Sequence, residues 1–259
     1  MTNLKEFRLM DGRTISCTSA AEARMLWVEM SDEGFYRGAA ATLRDGDVVL
    51  DIGANIGLSA IMFADTCPGV RVIAAEPAPV TFECLARNLG THVPGAVPLR
   101  VAAGRDRGRA QFTWYPRASA NSGLYADQRT DDKATEIFLR NSGLDDDAIG
   151  VLTNGLHVGE EIEVEVTTVS DIIEGHCPDA EIGVLKVDVE RAEMDVLEGI
   201  SDTHWPRIHT VVAEVHDLDG RLNEICDLLG AKGFRVHARQ DRVLSGTELN
   251  EVFATRDRS

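Results

Sequence analysis

The 259-residue chain has no apolar stretch approaching the roughly 20 residues that cross a bilayer, and Val48 to Leu50 with Ile52 falls far short. No membrane span is expected. The opening residues, MTNLKEFRLMDGR, lack the apolar core of a secretory signal, so export is not expected and the cytoplasm is the default location. Positive charge is scarce: 26 Lys and Arg stand against 43 Asp and Glu, a net charge of -17. That balance repels phosphate backbones and anionic lipid, so neither nucleic acid nor a membrane is expected as partner. The five cysteines (Cys17, Cys67, Cys84, Cys177, Cys226) include no C-x-x-C pair. This argues against a disulfide framework or a zinc knuckle and leaves small buried hydrophobes in a reducing compartment. Fixed-period repeats and low-complexity linkers are also missing. What remains is a soluble composition, 44% hydrophobic and 27% charged, long enough for one large domain over 1–259. The acidic runs at Asp131 and Asp132, Asp145 to Asp147, and Glu160, Glu161, Glu163 and Glu165 read as solvated faces.

Strand and helix punctuation is clear. FRLMDGRTISC alternates around Asp11-Gly12, which suits a hairpin turn, and Ala20 to Met30 reads as a helix, so 1–44 forms an N-terminal hairpin with helices. VVLDIG is a short buried strand feeding a helix from Asn55 to Asp65. The same grammar repeats in VRVIAAEP with a helix from Pro79 to Leu89, in VPLRVAA, in VLKVDVE with a helix over Ala192 to Gly199, and in TVVAEVHD with a helix from Asp219 to Lys232. FRVHARQ and ELNEVFATR close the chain as an antiparallel pair. Alternating strands and helices predict an α/β fold, a doubly wound, mostly parallel sheet with an antiparallel last strand. Ligands bind such sheets beyond the carboxyl ends of the strands. Between Tyr115 and Glu161 the rhythm stops, and 115–160 reads as an insertion over the rim of the site, with a helix near Glu136 to Arg140.

The first strand ends Asp51-Ile52-Gly53-Ala54-Asn55-Ile56-Gly57, a glycine turn before a helix that suits a nucleotide-like cofactor. Glu76 ends the second strand about 20 residues on, where an acid can accept hydrogen bonds from both ribose hydroxyls. A nicotinamide dinucleotide and S-adenosylmethionine both fit that pair. The spacing here is G-x-x-x-G, with Asn55 where the dinucleotide fingerprint has its close-approach glycine. The short-chain reductase pair Tyr-x-x-x-Lys is absent, as are G-K-[ST], H-E-x-x-H and G-x-S-x-G.

VVLDIGANIG, AAEPAPVTFECLARNL, LKVDVERAEMDVLEGI and VVAEVHD, in this order, resemble the FkbM family of S-adenosylmethionine-dependent methyltransferases over about Glu22 to Phe253. The resemblance implies a class I, Rossmann-like methyltransferase fold and methyl transfer to a hydroxyl of a polyketide, macrolide or related secondary metabolite, as in antibiotic biosynthesis. It assigns cofactor binding to the turn and acid, Asp51, Gly53, Ala54, Asn55, Gly57 and Glu76, with Ala102 and Ala103 lining the adenine. Tyr36 matches a tyrosine ahead of the first strand in the family and is read either as closing over the methionine end or as a core aromatic.

Strand parity carries the catalytic expectation. Lys186, Asp188 and Glu190 share one face, as do Glu214 and His216, and both groups end at carboxyl termini. A hydroxyl acceptor must lose its proton, and a neutral histidine with a pKa of about 6.5 is suited to take it. His216 is the expected base, oriented by Asp217, Glu190 or Asp188, with Asp188 alternatively contacting the methionine amine. Lys186 and Glu190 forming a structural ion pair is an alternative. So are Asp188, Glu190 and Asp217 as a Mg²⁺ set, although no metal site is assigned. His204 and His209 flank WPRI and read as surface residues. Trp114, Tyr115, Asn121 to Tyr125 and Phe138 suit a pocket for a largely apolar small-molecule or carrier-bound substrate, or packing within the insertion, or a homodimer interface. An N-methyltransferase, or a non-catalytic partner retaining the cofactor fold, are the rival functions.

Overall fold

The computed structural model describes residues 4–31 and 34–258. Strands β1 (Lys5–Arg8) and β2 (Thr14–Cys17) pair antiparallel across Asp11-Gly12, with Gly12 at φ 93°. Helices α1 (Ala20–Ser31) and α2 (Phe35–Ala40) follow. Then come β3 (Val48–Ile52), α3 (Leu58–Thr66), β4 (Arg71–Ala75), α4 (Pro79–His92) and β5 (Val97–Leu99). Pro79 opens α4, where its fixed φ suits the first turn and its missing N–H costs nothing. A second group comprises β6 (Ala102–Ala103), β7 (Gly108–Trp114), α5 (Gln128–Asn141), α6 (Asp146–Thr153) and β8 (Glu160–Thr167). The chain finishes with α7 (Val169–His176), β9 (Ile182–Val187), α8 (Glu193–Glu198), β10 (Ile208–His216), α9 (Arg221–Ala231), β11 (Arg235–Arg239) and β12 (Leu249–Thr255).

The main sheet has the order β11-β12-β10-β9-β3-β4-β5. Pairings from β10 to β5 are parallel, whereas β12 runs antiparallel to both β10 and β11, as the sequence led us to expect. Every residue of β3 and β9 is buried, which is why these strands read as continuous apolar runs. Alternation sorts them onto two cores. Val48, Leu50 and Ile52 join one cluster, with α7 to α9, and Val49 joins the other, with α1 to α4. No helix among the described residues is long and apolar enough to cross a membrane. All five cysteines are free, three of them buried.

Two expectations change here, and the insertion gains a frame. VPLRVAA is not one strand: β5 ends at Leu99, and Ala102 and Ala103 leave the main sheet to pair with Val166 and Thr167 of β8. The insertion does not stand alone over 115–160, because β7 and β8 flank it and form a small sheet with β6. Its acidic run is the open side of β8, where Thr113 donates to Glu161 and Arg109 pairs with Glu163. His204 and His209 are buried rather than superficial. His204 Nδ1 lies 2.9 Å from Ser170 Oγ, and His209 Nε2 lies 2.6 Å from Glu181 Oε2.

Candidate active site

The carboxyl ends of β3, β4 and β9 surround a cavity of about 610 Å³ of empty space, part of it open to solvent. Its floor is the turn after β3. Gly53 takes φ 77°, and a Cβ there would sit 1.7 Å from the carbonyl oxygen of Asp188, so only glycine lets the two backbones meet. The N–H groups of Gly53 and Ala54 both bond to the carbonyl of Ala75, and Asp188 N–H bonds to that of Ile52, which locks the turn to β4 and β9. Asn55 follows in the left-handed region at φ 48°, its Oδ1 accepting from Ile56 N–H.

Glu76 stands at the end of β4, 6% exposed, and lines the cavity. Burial pushes its pKa up to about 7, against the pull of the Ala78 and Asn55 backbone N–H groups. Ala102, Ala103, Val101 and Phe112 form an apolar wall beside it. Gly53, Asn55, Glu76, Ala102, Ala103 and Asp188 are thus brought together on one cavity. Asp51, Ala54, Gly57 and Tyr36 are not on its lining.

Those four have other places. Asp51 is fully buried beneath the turn, accepting from Ser59 Oγ at 2.6 Å, with Oδ1 3.3 Å from the Lys186 ammonium. Lys186 also lies 3.1 Å from Asp188 Oδ2 and donates to Gly53 O at 2.9 Å. Burial disfavours its charge, yet Asp188 and Asp51 hold it protonated above the usual lysine range. The alternative of a Lys186–Glu190 ion pair is therefore replaced by a Lys186 bridge between Asp51 and Asp188. Gly57 precedes α3 and packs against Leu85 of α4. Tyr36 is buried, its hydroxyl donating to Glu214 and its ring 5.8 Å from the Lys186 ammonium.

The geometry sets His216, the expected base, between two carboxylates. Its Nδ1 lies 3.0 Å from Glu193 Oε1 and its Nε2 3.3 Å from Glu190 Oε2. An ionised carboxylate only accepts, so this placement favours a proton on each ring nitrogen, an imidazolium. Burial opposes that charge, but the hydrogen bonds and charges of Glu190 and Glu193 outweigh it and push the pKa up to about 10. In that state the ring would not take a further proton at neutral pH. Nor does Asp217 orient it: Asp217 is exposed and accepts from Leu222 N–H at 3.1 Å, at the start of α9. The three carboxylates considered for Mg²⁺ do not converge, and no group of ligand side chains among the described residues does so.

Strand parity fails because β9 ends at Val187. Asp188 and Glu190 sit in the loop beyond it, where Glu190 and Arg191 both take positive φ, 52° and 77°. Two adjacent side-chain-bearing residues in that region need outside support. Glu193 accepts from Arg191 N–H at 2.8 Å, and Arg191 Nη2 reaches Asp131 Oδ1 at 2.5 Å, both groups buried. Tyr115 OH also donates to Asp131 Oδ2, at 2.8 Å, so the loop is tied to the insertion.

Sequence reasoning missed Glu193, Phe112 and Glu22. Phe112 shows a signal in retrospect, the alternation of Ala110, Phe112 and Trp114 along β7. Glu22 is half-buried on α1, and four residues on along the helix Leu26 lines the cavity. The insertion contributes Ser119, Ala120, Ser122 and Leu124 to the same cavity as Glu76.

Residues 51–236 match the family model described as the methyltransferase FkbM domain. The chain is 41% identical over 259 residues to the 31-O-demethyl-FK506 methyltransferase FkbM of Streptomyces tacrolimicus, covering 98% of this chain and 97% of that one. It is 32% identical to Methyltransferase 1 of Beauveria bassiana, over 91% of each chain. The same identity holds to a 12% portion of the AMB antimetabolite synthetase AmbE of Pseudomonas aeruginosa, covering 97% of this chain. Among solved structures, the FkbM methyltransferase of Methylobacillus flagellatus KT aligns with 82% of this chain and 44% of its own at 16% identity and a TM-score of 0.49. With the family's domain spanning most of the chain and a full-length relative at 41% identity, the protein is an enzyme, a member of the FkbM methyltransferase family.

Proposed function

We propose that this methyltransferase uses S-adenosylmethionine and methylates a hydroxyl of a polyketide, macrolide or related secondary metabolite, either free or carrier-bound. The observation that carries the donor assignment is Glu76, a buried carboxyl at the end of β4 facing a cavity floored by the Gly53 turn. A ribose diol donates to such a carboxyl, and the apolar wall of Ala102, Ala103 and Phe112 suits an adenine. Asp188, on the same cavity and held by Lys186, offers a carboxylate to a cationic ammonium. The residues present therefore fit the donor. S-adenosylmethionine supplies a methyl group made electrophilic by its sulfonium.

The chain's own part is alignment and proton transfer. The Gly53 turn and the Asp188 loop meet backbone to backbone, so donor and acceptor sides are positioned as one unit, which is where most of the rate advantage of a displacement arises. With His216 held protonated, proton acceptance passes to carboxylates on the loop, Asp188 at the cavity or Glu190 on the imidazolium. The full-length likeness to a 31-O-demethyl-FK506 methyltransferase supports an oxygen acceptor in a macrolide. An amine acceptor is the second reading, favoured by His216 being protonated, because a neutral amine attacks without a strong base.

The test is calorimetric binding of S-adenosylmethionine and S-adenosylhomocysteine, with NAD as control and Glu76→Ala alongside. Loss of hydrogen bonds to a buried carboxylate predicts about 10- to 100-fold weaker binding in the variant. Absence of binding by both sulfur ligands overturns the donor assignment. Mass spectrometry after incubation with 31-O-demethyl-FK506, other hydroxylated macrolides and their amino analogues then decides the acceptor atom.

A further inference from the structure

The segment between Trp114 and Leu124 is a loop with a fixed stem and a separately held tip. At the stem, Thr113 and Gly123 exchange backbone hydrogen bonds at 3.1 and 3.2 Å, and Tyr115 N–H donates to Ser122 Oγ at 2.9 Å. At the tip lies a single 3-10 turn, Ser119–Asn121. Asn121 Oδ1 lies 3.3 Å from His157 Nε2, and Arg117 donates to Asn154 O, but these ties stay inside the insertion. Among the described residues, the tip's hydrogen bonds outside the insertion run to Glu22, Thr18 and Asn55. Glu22 is the centre of that group. Its carboxylate accepts from Ser119 Oγ and from Ala120 N–H, each at 2.9 Å, and from Thr18 Oγ1 at 3.4 Å.

The tip lines the cavity. Ser119, Ala120, Ser122 and Leu124 share that lining with Glu76 and with Leu26, on the same helix as Glu22. Asn55, from the turn after β3, donates to Ser119 Oγ at 3.2 Å. The stem of the segment rests on the loop beyond β9: a Cβ at Gly123 would stand 2.9 Å from both the carbonyl oxygen and the Cβ of Glu190. One short segment thus spans from α1 to the loop carrying Asp188 and Glu190.

We propose that the tip, residues 119–121, forms a cover over the methyl-donor cavity and that Glu22 is the positioning residue that clasps it shut, so the donor and its demethylated product exchange only when that clasp opens. The proposal rests on the donor assignment above. A charge-assisted hydrogen bond from a backbone N–H and one from a hydroxyl are the strong kind, and both end on the same carboxylate. Releasing Glu22 frees the tip while leaving the stem pairs in place. This makes the insertion part of the donor site.

The test measures association and dissociation rates of S-adenosylhomocysteine by surface plasmon resonance for wild type, Glu22→Gln, Glu22→Ala and Ser119→Ala. Hydrogen exchange of peptide 117–125 and urea unfolding are followed in parallel. A clasp predicts that both rates rise in the Glu22 variants, dissociation by about 10- to 100-fold, with faster amide exchange in the peptide and unchanged exchange in 48–52. Ser119→Ala, which keeps the Ala120 N–H bond, shows a smaller rise. A mere wall residue would raise dissociation alone. If the wild type binds and the Glu22 variants keep both rates within twofold, the clasp is refuted and the donor assignment stands. If the wild type binds no S-adenosylhomocysteine, the donor assignment fails and the clasp with it.

Discussion

Replacing His216 with glutamine removes the cation between Glu190 and Glu193 while keeping most of the volume, and the structure sets the size of the effect. The ring is 8% exposed and each nitrogen faces a carboxylate oxygen at 3.0 or 3.3 Å. Deleting one partner of a buried ionic group leaves uncompensated charge and costs about 3–5 kcal/mol. The pH dependence follows from the same contact. His216 titrates near 10 in the folded protein against a reference value of 6.5, so its contribution is fully present below pH 6.5 and is lost as pH rises through 10. In between, the native state holds a proton that the unfolded chain has released, and stability falls by about 1.4 kcal/mol per pH unit, to a ceiling of about 5 kcal/mol. Urea unfolding of wild type and His216→Gln from pH 6.5 to 10 reads this directly. The difference between the two proteins cancels the cysteines and tyrosines that titrate in the same range. The expected result is a large gap at pH 6.5 that narrows toward pH 10. Parallel curves, or a nitrogen NMR spectrum showing a neutral ring at pH 8, would refute the imidazolium.

Two further outcomes follow from packing. Gly53→Ala places a methyl group 1.7 Å from a carbonyl oxygen in a backbone held at φ 77°, so the turn must come apart from Asp188. It should abolish S-adenosylhomocysteine binding in calorimetry while lowering the melting temperature, whereas Gly90→Ala, in helix α4 with nothing within 4 Å, should keep binding and leave the melting temperature the same or higher. Arg191→Met strands Asp131, 4% exposed, and should cost about 3–5 kcal/mol in thermal or urea unfolding. Pairing it with Asp131→Leu should recover at least half of that loss.

The central architecture was readable because β3, β4, β9 and β10 are buried on both faces and announce themselves as apolar runs ending in polar residues. Gly53 and Glu76 were readable for a related reason: a turn and a strand end are defined by a few consecutive residues. What escaped depends on partners distant in sequence. Nothing in VPLRVAA signals that the chain changes sheets at Arg100 and Val101, since the reason is β8, which pairs with Ala102 from Val166. The face-sharing of Asp188 and Glu190 assumed extended backbone that Glu190 and Arg191 do not adopt. The setting of His216 was only half visible: Glu190 was expected beside it, but Glu193, its second carboxylate, sits in the helix after β9 with no mark of its burial in the sequence.

The position of β3 in the sheet bears on how the chain emerges from the ribosome. One of its neighbours, β4, follows within one helix, but the other is β9, and Leu50 must wait for Leu185 to be synthesised before its second edge is paired. Until then an edge of buried-type residues, Val48 to Ile52, stands open on a nascent chain that already contains the hairpin, helices α1 to α4 and α7, and the whole insertion. Such a fold completes late and by long-range closure. Yield in recombinant expression should therefore respond more to slowed translation and holding chaperones across 100–180 than to any gain in the stability of the finished domain.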